Sequence, residues 1–135
     1  MSNGGATADV EVLWDDLLAG PRMPAAVRDR LSRGDALPGF GPQAYPAGDP
    51  RAVRLLQLAR RAGPLPPIAA EVTRRTGWSP SVDFGFVALR RSLGAPRGAA
   101  LTLQFGSRCV GLLAHVLEQR RSGQRFAPRA VYTGG

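Results

Sequence analysis

The sequence predicts an all-α fold, on three observations. Apolar residues recur at three- and four-residue spacing in successive stretches, and glycine or proline closes each stretch. Nothing alternates with the period of two that a half-buried strand requires. The chain has 135 residues, enough to bury a core as one domain or as a piece of a larger one. A hydrophobic content of 44% with 21% charged residues is that of a globular protein rather than a disordered one.

Each helix can be justified in chain order. Val10, Leu13, Trp14, Leu17 and Leu18 lie at helical spacing, and the run stops at Gly20. The next helix runs from Pro24 to Arg33 and stops at Gly34. The stretch from Ala36 to Gly48, rich in proline and glycine, reads as a rigid loop. Asp49 is then an N-cap with Pro50 at the first helical position, opening a helix through Val53, Leu56 and Arg60 that ends at Gly63. A shorter helix covers Ile68 to Thr76 and ends at Gly77, and another covers Asp83 to Leu93 and ends at Gly94. The last and longest spans about Arg97 to Ser122. Its apolar residues surround the axis between Ala99 and Leu117, interrupted by Gln104, Ser107, Arg108, His115 and glycines, which is the pattern of a buried helix.

Composition excludes several functional classes. The net charge is +8, and all 18 basic residues are arginine. They come as scattered pairs on helical stretches rather than as one basic and aromatic patch, so solvated helix faces explain them and no nucleic-acid partner is expected. A basic surface does favour encounter with phosphorylated ligands. Cys109 is the single cysteine, which leaves no intramolecular disulfide and no cysteine-rich metal site. The opening segment lacks a signal-peptide pattern and no apolar run is expected to reach membrane-spanning length, so a cytoplasmic location without membrane contact is expected.

Three strings carry the most specific information: GFGPQAYPAGDPRA from Gly39, PSVDFGFVALRRSLG from Pro80 and SRCVGLLAHVLEQRRSG from Ser107. In this order and spacing they resemble the C-terminal portion of citrate synthase. By that resemblance, residues 1–20 are the end of a large-domain helix and 21–95 are a small domain. Residues 96–122 are a long helix that packs on a large domain lying upstream, and 123–135 are a tail. The long helix would then be exposed in an isolated monomer and would favour self-association or a partner. The resemblance implies condensation of an acyl-CoA with oxaloacetate, the acyltransferase step of the tricarboxylic acid cycle. Acyl-CoA would be the substrate, with no permanently bound cofactor and no metal. The partner would be a second copy of the chain or a chain supplying the large domain.

The same resemblance assigns residues. Asp83, in SVDF, falls at the family's catalytic aspartate, the base for a weakly acidic carbon proton; read from residues alone, an aspartate at a helix start is also an N-cap. Arg51 and Arg108 fall where the family holds the carboxylates of oxaloacetate, for which a planar guanidinium supplies two parallel hydrogen bonds. Within an apolar helix Arg108 calls for an anionic partner, either a substrate or an internal carboxylate such as Asp83. Gly39, Phe40 and Gly41 match a loop that lies against the adenine end of CoA. His115 is expected to be a packing residue.

Two positions depart from the family. Asn3 stands in NGGA where the family has a histidine that donates to the thioester oxygen, and an amide can donate a hydrogen bond but cannot exchange a proton. Pro42 stands after GFG in place of a second histidine and has neither a side-chain donor nor an N–H. Loss of one preorganised donor costs about 2.7–4 kcal/mol of transition-state stabilisation. Ala127 also replaces a tail arginine that reaches the partner subunit's site. The expected function is therefore a citrate-synthase-like condensation, truncated and impaired or dependent on a partner chain. The alternative is a non-catalytic CoA-binding or regulatory pseudoenzyme that associates with a true citrate synthase.

Overall fold

The structure is a computed structural model that describes residues 5–20, 22–41 and 48–123. Among these residues it is all-helical, with α1 (Gly5–Ala19), α2 (Met23–Ser32), α3 (Pro50–Ala62), α4 (Ile68–Thr76), α5 (Val82–Ser92) and α6 (Ala99–Ser122). The extended pairing among them is one antiparallel bridge between Phe40 and Pro80. The predicted helices are all present, with ends displaced by a residue or two.

The chain divides into two compact units, residues 1–104 and 105–135, with the border inside α6. Residues 1–20, assigned by resemblance to a different domain from 21–95, contribute α1 to the core of the first unit. Val10, Leu13, Trp14 and Leu17 are buried there together with Val27, Leu56, Ile68, Val72, Phe84 and Val87. Full burial of one such large side chain contributes about 1.5–3 kcal/mol. Leu18, which the apolar run included, is exposed.

The most extensive helix pairing is that of α3 and α5. A Cβ on Gly85 would sit 2.8 Å from Leu55 Cβ and 3.4 Å from the Ala52 Cα, so only glycine permits this spacing. On the other side of α5, Trp14 of α1 stacks on Phe84 with ring centroids 4.8 Å apart.

An ion cluster around the buried Glu11 pins α1 to the other end of α5. Glu11, with its side chain 6% exposed, accepts from Arg90 Nε at 2.6 Å and from Arg91 Nε at 3.0 Å. Arg91 also bonds Asp15 and lies 5.4 Å over the Trp14 ring, and Arg97 pairs with Asp15. Burial pushes the Glu11 carboxyl up, but hydrogen bonds and positive charge from Arg90 and Arg91 outweigh it and hold it below the usual range.

The second unit carries the continuation of α6. Its large apolar side chains, among them Val110, Leu112, Leu113 and Val116, are exposed. The buried character expected of α6 therefore holds at Ala100 and Gln104, in the first unit. By length and composition α6 is long and apolar enough to cross a bilayer, with a mean hydropathy of 1.3 over an 18-residue window. That corrects the expectation that no apolar run reaches this length: isolated polar residues break the run while the average over an 18-residue window stays high. A core helix of a soluble protein meets the same criterion.

Candidate functional site

The N-terminus of α5 is built so that its carboxylate is not used up in capping. Ser81 is the N-cap, with its hydroxyl accepting from the Phe84 N–H at 3.4 Å. Asp83 lies one residue inside the helix, half-buried in the first turn, where the aligned peptide dipoles favour a negative charge. Its Oδ1 accepts from Gln104 Nε2 at 2.5 Å. Gln104 is 6% exposed, and its Oε1 accepts from the Thr7 hydroxyl at 3.3 Å; Thr7 is 3% exposed.

The GFG loop is fastened to the same helix start. The Ser81 N–H donates to the Gly39 carbonyl at 2.8 Å, and Phe40 packs against Phe84 with ring centroids 4.8 Å apart. Gly39 has φ +84, and a Cβ there would sit 2.8 Å from Val10 Cγ2. Glycine is thus required both by the backbone angle and by the space. Gly41, with φ 148, ends the described part of the loop. The structure thereby brings Gly39, Phe40 and Asp83 to one end of α5.

Arg51 sits in the first turn of α3 and places Nε 3.0 Å from Asp49 Oδ1 and Nη2 2.8 Å from Asp49 Oδ2. Asp49 is buried and also accepts from the Arg51 backbone N–H at 2.9 Å, as the predicted N-cap. The hydrogen bond from the Arg51 guanidinium, opposed by burial, holds the Asp49 carboxyl below its ordinary range. Any anion at Arg51 shares a guanidinium already forked onto Asp49. Arg108 lies on α6 in the second unit with its side chain exposed. His115, also exposed, has Nδ1 3.5 Å from Glu118 Oε2. Asn3, Pro42 and the tail with Ala127 lie outside the described residues. Among the described residues no group of three His, Cys, Asp or Glu side chains could hold a metal ion.

Thr7, Gln104 and Glu11 were not singled out as site residues by sequence reasoning. Gln104 left a signal as a polar break in the apolar helix, and Thr7 and Glu11 fall at helical spacing on the inward stripe of α1 with Val10, Trp14 and Leu17.

Comparison with known proteins identifies the family. The family model for the citrate synthase C-terminal domain matches residues 2–129, and the chain belongs to the citrate synthase family. It is 33% identical to the citrate synthase of Haloferax volcanii over 98% of its own length and 38% of that protein. Citrate synthase 2 of Bacillus subtilis is 30% identical over the same shares. Among solved structures, citrate synthase of Thermoplasma acidophilum, in a ternary complex with carboxymethyl coenzyme A and oxaloacetate, superposes with a TM-score of 0.68 at 28% identity. That match covers 98% of this chain and 39% of the other. Citryl-CoA lyase from Hydrogenobacter thermophilus gives a TM-score of 0.70 at 25% identity, covering 99% of this chain and 59% of the lyase. The chain thus spans 38% of the length of these curated relatives.

Proposed function

We propose that this chain is the base-bearing part of a citrate-synthase-type enzyme that joins an acyl-CoA to oxaloacetate. It would work together with a large-domain body, on the same or on a separate polypeptide. The observation that carries the reading is Asp83: it lies in the first turn of α5, relieved of capping by Ser81 and beside the GFG loop. In the proposed step an Asp83 oxygen takes a proton from the carbon next to the thioester. The resulting enolate carbon bonds to the ketone carbon of oxaloacetate, whose oxygen becomes an alkoxide and takes a proton from water; the hydroxide so formed recovers the proton held by Asp83, which regenerates the base. A second water then cleaves the thioester, releasing CoA and the tricarboxylate.

Asn3 and Pro42 weaken the two steps that need a donor, so turnover should be slow. The test uses the protein purified from its source cells with whatever it assembles with, and follows CoA release from acetyl-CoA and oxaloacetate. Replacing Asp83 by Asn should lower the rate by about 10²–10⁴-fold, the contribution of a positioned general base. An unchanged rate would remove Asp83 from the mechanism.

A non-catalytic CoA-binding role is favoured by one specific observation, the loss of both family histidines at Asn3 and Pro42. That reading expects saturable heat on titration with CoA and no CoA release above background.

A further inference from the structure

A carboxylate that abstracts a carbon proton must aim one oxygen at the substrate, and a half-buried carboxylate on a helix end can rotate about its own bonds unless something holds it. The hold in this protein comes from two residues that neither the family match nor the strings read from sequence assign to the site. Gln104 Nε2 donates to Asp83 Oδ1 at 2.5 Å, and the Thr7 hydroxyl donates to Gln104 Oε1 at 3.3 Å. An amide has one accepting and one donating end. With Thr7 donating to the oxygen, the nitrogen is the end that faces Asp83. Thr7 and Gln104 are 3% and 6% exposed, so water competes poorly for either bond.

We infer that Gln104 is a positioning residue for Asp83 and that Thr7 fixes the orientation of the Gln104 amide. This buried relay, running from α1 through α6 to the start of α5, ties up Oδ1 and leaves Oδ2 as the oxygen that takes the proton. The inference rests on the reading of Asp83 as a base. A neutral amide suits the task because it orients the carboxylate without giving it a proton.

The experiment compares the unsubstituted protein with Gln104→Leu, Thr7→Val and Thr7→Ser, each in the complex purified from source cells. Rates and KM for acetyl-CoA are measured in parallel with nitrogen-edited NMR of the glutamine side-chain amides. Gln104→Leu is expected to lower kcat about 10–100-fold, the scale of one hydrogen bond to a charged group, with KM unchanged within about twofold. Thr7→Val is expected to lower kcat by less with KM unchanged, although Thr7 touches neither Asp83 nor substrate, and Thr7→Ser to restore it. The Gln104 amide protons should exchange slowly in the unsubstituted protein and rapidly in Asp83→Ala. Turnover lost in Asp83→Asn but unchanged in both Gln104→Leu and Thr7→Val, with the thermal midpoint retained, overturns the inference alone. No turnover by the unsubstituted protein, with the slow amide exchange still present, overturns the reading of Asp83 as a base and this inference with it.

Discussion

Two carboxylates, Asp83 and Glu11, are held in opposite ways, and the difference separates work from support. Asp83 meets a neutral amide and lies half-buried at a helix start, a setting that orients a charge without cancelling it. Glu11 meets the guanidinium groups of Arg90 and Arg91 in a buried cluster, a setting that spends the charge on holding α1 to α5. Removing one partner of a buried pair leaves the other uncompensated, so Glu11→Gln should lower unfolding free energy by about 3–5 kcal/mol in urea denaturation. The pH sign follows from the depressed carboxyl. The folded value lies below the unfolded value of about 4.3, so the contribution is fully present above that pH and is lost as pH falls through the folded value. The unsubstituted protein should therefore lose stability on acidification below about pH 5, and Glu11→Gln should lose less. Of these residues only Asp83 was legible in the sequence, because its flanking string matched a family. Glu11 and Thr7 share a helical face with Val10 and Trp14, but a polar residue on an apolar stripe does not reveal which distant arginine or amide it meets.

Helix boundaries were the most legible feature, since their causes are local. Asp49 with Pro50 opens α3 as read from the sequence, and Gly77 closes α4 with φ 73. The start of α5 was read one residue late, because Ser81 takes the capping role that Asp83 could also have filled. Helix packing was less legible, and the glycines show why. Gly85 on α5 faces Leu55 at 2.8 Å from where a Cβ would lie, whereas Gly111 on α6 has nothing within 4 Å. Both read in sequence as glycines inside a helix. Gly85→Ala should destabilise the protein by roughly 1–3 kcal/mol through overpacking. Gly111→Ala should stabilise α6 by about 1 kcal/mol through helix propensity. Thermal unfolding of the two variants, followed by circular dichroism, should shift in opposite directions; a midpoint for Gly85→Ala at or above that of the unsubstituted protein would contradict the close α3–α5 approach. The apolar stretch of α6 is exposed in the single chain, the state that the resemblance implied for an isolated monomer, and the apolar pattern is silent about which body a helix packs on.

Family membership and the loop-to-helix architecture around Asp83 fit together in one compact unit, residues 1–104. The chain spans 38% of the length of its curated relatives, so the proposed catalysis would draw on more than that unit. Condensation requires a base, a donor for the thioester oxygen and an acid for the ketone, and replacement at Asn3 and Pro42 bears on the last two. Proton removal is the step that tests the base apart from them. The most direct measurement is therefore deuterium uptake from D₂O into the methyl group of acetyl-CoA, followed by proton NMR with the complex purified from source cells and oxaloacetate present. Exchange that is catalysed by the unsubstituted protein and falls by about 10²–10⁴-fold in a folded Asp83→Asn variant is the predicted result. Exchange at the same rate in both proteins would contradict it.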